Sequence, residues 1–153
     1  MKAKVLLAVV ALSYSPLAVA GNEAAYPKEN VAAFVVEKLD LTSLPSAFRP
    51  KKGKGKKTFA DYGFTAQTVN ENEAVIEAAG GAKRLAIKIL NQQSSGIYVC
   101  VAKAGENGGQ AKTQSVILVK RKDSNELLKG RESWREFAAC PVIGGSDSTG
   151  SSY

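Results

Sequence analysis

Residues 84–102 read Arg-Leu-Ala-Ile-Lys-Ile-Leu-Asn-Gln-Gln-Ser-Ser-Gly-Ile-Tyr-Val-Cys-Val-Ala, and this stretch decides the fold. Leu85, Ile87 and Ile89 alternate with Arg84, Ala86 and Lys88; Ile97, Val99 and Val101 alternate with Tyr98, Cys100 and Ala102. A period of two sends successive side chains to opposite faces, so each half is a strand with one strongly apolar face. Ser94-Ser95-Gly96 is too short for a parallel crossover, which makes the pair an antiparallel hairpin.

The same period extends in both directions. Upstream, Ala60, Tyr62, Phe64 and Ala66 alternate with Asp61, Gly63, Thr65 and Gln67, and Ala74, Ile76 and Ala78 with Val75 and Glu77. Downstream, Val116, Leu118 and Lys120 alternate with Ile117, Val119 and Arg121. Asn70-Glu71-Asn72, Gly80-Gly81 and the Gly105-Glu106-Asn107-Gly108-Gly109 turn connect these runs. Five strands joined by short, turn-rich connections predict an antiparallel meander in sequence order.

On the N-terminal side, Val31, Phe34, Val35 and Leu39 follow helical spacing. Pro27 suits a first turn, and Thr42, Ser43 and Pro45 end the segment. On the C-terminal side, residues 131–139 predict a short helix stopped by Pro141, with Trp134, Phe137 and Ala138 on one side. The expectation is an α+β domain: an N-terminal helix packed on a five-stranded antiparallel meander, then a short C-terminal helix. This order resembles the cystatin-like arrangement in outline. The inhibitory loop of cystatins carries Gln-x-Val-x-Gly, whereas Gln114-Ser115-Val116-Ile117-Leu118 has Leu118 at the Gly position, so the resemblance implies no protease inhibition.

Residues 1–20 predict a cleaved signal peptide: Lys2 and Lys4, an apolar run from position 5 to 12, then Ala18-Val19-Ala20 as a small-x-small site. The run is shorter than the roughly 20 residues that span a bilayer core. Residues 21–143 form one exported domain, periplasmic or secreted, and the Gly/Ser-rich residues 144–153 form a disordered tail. Export and an even cysteine count predict a Cys100–Cys140 disulfide. Cys100 faces away from Ile97, Val99 and Val101, so the bond would hold the Trp134 segment against the second face of the sheet.

The chain has no His. That excludes imidazole-based triads, Cys-His pairs and His-ligated metal sites. Glu73 and Glu77 on one strand face would sit about 13 Å apart, too far for a hydrolytic acid/base pair. Asp61 reads as surface charge, and Asp123, Asn125 and Glu126 as a turn without the spacing of a calcium loop. Residues 105–109 lack the Lys-Ser/Thr of a phosphate loop. No catalytic residue, metal or cofactor is expected; a Ser-Lys hydrolase is the enzymatic alternative.

Residues 49–57 remain. Arg49, Lys51, Lys52, Lys54, Lys56 and Lys57 supply six positive charges in a chain whose formal net charge is +7. Pro50, Gly53 and Gly55 make the segment a mobile loop. Its partners would be anionic polymers or anionic membranes. Lys dominates over Arg and no aromatic is interleaved, so sequence-specific nucleic-acid binding is not expected. The functional expectation is an exported, non-enzymatic binding or accessory protein, with polyanion binding through this loop as the alternative.

Overall fold

The computed structural model describes residues 26–81, 83–103, 113–121 and 127–140. The expected signal peptide, disordered tail and 105–109 turn, and Asp123, Asn125 and Glu126, lie outside the described residues. The order is α1 (Val31–Lys38), β1 (Leu39–Asp40), a 3₁₀ turn (Leu41–Ser43), β2 (Phe64–Val69), β3 (Glu73–Ala78), β4 (Arg84–Gln93), β5 (Gly96–Lys103), β6 (Thr113–Arg121) and β7 (Leu128–Glu132). The strands lie in one curled sheet in the order β1-β7-β6-β5-β4-β3-β2.

The five-stranded, two-helix expectation is therefore corrected. The meander from β2 to β6 is present, but β7 adds antiparallel to β6 and β1 adds parallel to β7, giving a seven-stranded mixed sheet. Among the described residues α1 is the one α-helix. The expected helix over 131–139 does not form because the backbone has a better use for its polar groups. Arg131 and Glu132 pair with Leu118 and Ile117, and the Ser133 N–H continues the ladder by donating to the Val116 carbonyl at 2.8 Å. Beyond it, the Cys140 N–H donates to the Phe137 carbonyl across a tight turn.

The first strand also starts later than the alternation suggests. Asp61 Oδ2 accepts from the backbone N–H groups of Lys57 and Thr58, and the Gly63 N–H donates to the Ala60 carbonyl. Gly63 then takes φ 74°, a left-handed conformation that glycine adopts without a Cβ penalty, and β2 begins at Phe64. Ala60 and Tyr62 thus belong to a turn. α1 is similarly short: Asn30 at φ 53° precedes it, and Leu39 leaves it in extended geometry to pair with Leu128.

The alternation read in residues 85–89 and 97–101 does assign the faces of those two strands. Ile76, Leu85, Ile87, Ile97, Val99, Val101, Ile117, Val119 and Leu128 point to one face, which is closed by Val31 and Val35 of α1 and by Leu39, Leu41, Leu44, Phe48 and Phe59. Each such side chain contributes about 1.5–3 kcal/mol on burial. Packing is close at Gly130, where an added Cβ would lie 2.9 Å from Leu44 Cδ2 and 3.0 Å from Ile117 Cγ2. Gly130→Ala should destabilise the protein by about 1–3 kcal/mol through overpacking. A lowered urea midpoint with unchanged slope is the expected reading; an unchanged midpoint would show that Leu44 yields freely.

Candidate ligand-binding surfaces

The basic segment lies between two buried aromatic anchors, Phe48 and Phe59. The loop is fastened at more points than a glycine-rich, lysine-rich run suggests. Arg49 donates from Nε and Nη2 to the Leu44 carbonyl at 3.0 and 2.7 Å. The Gly53 N–H meets the Tyr62 hydroxyl at 3.4 Å, and the Leu41 N–H donates to the Lys57 carbonyl at 2.8 Å. Lys56 Nζ sits 5.7 Å from the Tyr62 ring centroid, within cation–π range. The Thr58 and Lys57 backbone N–H groups hold the Asp61 carboxyl below the usual carboxylate range, so it stays ionised as the clamp at the end of the segment.

Lys51, Lys52, Lys54, Lys56 and Lys57 are exposed, and none forms a salt bridge with a described carboxylate. Arg49 is the exception among the six: part of its guanidinium is occupied by Leu44. The fold adds two cations that are remote in sequence. Lys83, ahead of β4, and Lys103, at the end of β5 opposite Leu85, join Arg49, Phe48 and Phe64 around a notch of about 30 Å³. That is far below the 300–1,000 Å³ of a small-molecule pocket. Any ligand here lies across the surface.

The second face of the sheet holds the other arrangement. Cys100 is bonded to Cys140, with Cα atoms 5.7 Å apart. Val116 packs with the bridge, and Leu90, Tyr98 and Phe137 lie against it. The Tyr98 and Phe137 ring centroids are 5.4 Å apart, and the Arg135 guanidinium carbon stands 5.3 Å from the first and 5.7 Å from the second. The segment 133–140 is thus pinned to the second face, as the direction of Cys100 predicted, without forming a helix. Next to it opens a groove of about 530 Å³ whose walls include Leu118, Arg131, Glu132 and Trp134. Trp134 is 99 % exposed. Sequence reasoning placed Trp134 with Phe137 and Ala138 on one side of a helix and missed the groove.

A buried carboxylate was also missed. Asp40 is fully buried; Oδ1 accepts from the Thr42 N–H at 2.9 Å and the Thr42 hydroxyl at 2.6 Å, and Oδ2 pairs with Lys129. The Ser43 hydroxyl donates to the Asp40 carbonyl and accepts from the Gly130 N–H, so the cluster joins the 3₁₀ turn to β7. Burial pushes the Asp40 carboxyl up, but hydrogen bonds from Lys129 and Thr42 outweigh it and leave the group below its ordinary range. Asp40 is saturated with internal partners and serves as a structural latch. Glu73 is paired with Lys88 at 2.9 Å across β3 and β4, an exposed ion pair of small energetic consequence. In comparisons with known proteins, no family model, curated protein or solved structure matches the chain.

Proposed function

We propose that the protein is an exported, non-enzymatic binding protein that holds anionic polymers on the surface formed by residues 49–57 together with Lys83 and Lys103. The observation that carries this reading is the exposure of five lysines, none in a salt bridge with a described carboxylate, on a fastened segment beside two further cations. Each Lys close to an anionic surface contributes on the order of 1 kcal/mol. A segment already held by Leu41, Leu44, Tyr62 and Asp61 loses less conformational entropy on binding than a free loop would. The absence of His supports the non-enzymatic half of the reading. Export is supported by the sequence of residues 1–20 and by the disulfide, which persists in oxidising compartments. Among the described residues no helix is long and apolar enough to cross a membrane.

Binding of the mature chain to heparin should weaken steeply with salt, because exposed charges are screened over about 8 Å at physiological ionic strength. Replacing Lys51, Lys52, Lys54, Lys56 and Lys57 with Gln should remove most of the affinity and flatten the salt dependence. Retention on heparin columns across a salt gradient reads both. Wild-type-like retention of the Gln variant would overturn the assignment.

A further inference from the structure

The groove on the second face of the sheet is separate from the basic segment and does not depend on it. Tyr98 and Leu118 in its walls are cross-strand partners that point away from the main core, whereas the notch beside the basic segment is lined by core-facing Phe48, Phe64 and Leu85. An indole exposed at 99 % is unusual for so large an apolar side chain. Its backbone is held from both sides. Ser133 is bonded to Val116, and the segment ends at the Cys100–Cys140 bridge. Arg135, the residue after Trp134, is fixed over the Tyr98 and Phe137 rings. Trp134 is therefore presented to solvent by a covalently tied segment.

We infer that this groove binds a stretch of acidic polysaccharide. The chemistry of its walls matches the parts of an acidic sugar. The open indole offers a flat apolar face for a pyranose ring, as aromatic side chains do when they combine an apolar body with polar surroundings. Arg131 presents a planar fork suited to a carboxylate or sulfate. Lys120 lies two residues from Leu118 on the same strand face and extends the positive field. A groove of about 530 Å³ accepts a narrow polymer.

Trp134 is the only tryptophan in the chain, so indole emission reports this groove alone. The mature protein is titrated with galacturonic acid oligomers, neutral dextran oligomers and single-stranded DNA. The same titrations are run on the variant lacking the five lysines of the basic segment. A saturable, salt-sensitive change in emission with the acidic oligomer is expected in both proteins, and none with dextran. Calorimetry with Trp134→Ala should show affinity weakened about tenfold or more, as for truncation of an aromatic anchor, and Arg131→Gln a comparable loss. Trp134 is exposed, so Trp134→Ala should fold normally. A silent indole, an equal response to dextran, or a response to DNA alone would overturn the assignment. Failure of the signal in the lysine-free variant only would assign binding to the basic segment instead.

Discussion

Replacing Cys100 and Cys140 together with Ala should lower the stability of the protein by about 4 kcal/mol, the chain-entropy value for a bridge spanning 40 residues. That is a large share of the 5–15 kcal/mol that ordinarily separates folded from unfolded chains. The loss should be distributed unevenly. The main core lies on the opposite face of the sheet and contains neither cysteine, so far-UV circular dichroism should retain its sheet signature below the new melting temperature. The segment 133–140 has much less to hold it. Without the bridge it keeps the ladder bond of Ser133, the Tyr98–Phe137 contact and the stacking of Arg135. Tryptic cleavage after Arg135 should therefore accelerate well before global unfolding, because local opening there becomes inexpensive. Cleavage at Arg135 that rises only in proportion to global unfolding would show that the segment is held by packing alone. The same variant should weaken any ligand response of Trp134, since the bridge fixes the segment that presents it.

The strands that sequence alone revealed are those with enough apolar residues to set a period. Residues 85–89 and 97–102 each carry three large aliphatics on one face, and the structure keeps both their type and their facing. β1 and β7 were illegible for a physical reason. A two-residue strand is shorter than any period. β7 shows the core only Leu128 and the Cβ-free Gly130, between Lys129, Arg131 and Glu132. Its pairing is directed by the unsatisfied edge of β6, a tertiary demand absent from the local sequence. The helix expected from 131 to 139 failed against that same demand. The basic segment was legible as a charge run, but its fastening was not, because Leu41, Leu44 and Tyr62 reach it from different turns. The groove required knowledge that β7 ends at Glu132 and that Trp134 follows it exposed, outside any helix.

The pairing of Asp40 with Lys129 is the other place where one substitution should have a large effect, and its direction with pH is fixed by the geometry. Asp40 is fully buried, while the Lys129 side chain is 42 % exposed. Removing the two partners is therefore not symmetrical. Lys129→Met leaves a buried carboxylate with Thr42 as its remaining side-chain partner. It should cost about 3 kcal/mol at neutral pH, the low end for breaking a buried pair because Thr42 still donates two hydrogen bonds. Asp40→Asn frees a lysine that water can reach and keeps an oxygen for Thr42, so about 1–2 kcal/mol is expected. In the native protein the Asp40 carboxyl is held below its ordinary value of 3.8. Its contribution is thus fully present above that value and is lost as pH falls through the lower, folded-state value. In Lys129→Met the burial that favours the neutral acid is less opposed, and protonation relieves the buried charge. The stability difference between native protein and Lys129→Met should therefore shrink as the pH is lowered from 7 towards 4. Urea unfolding of both proteins and of Asp40→Asn across that range measures it. A gap independent of pH, or a Lys129→Met variant as stable as the native chain at neutral pH, would show that Thr42 alone suffices to hold the buried carboxylate.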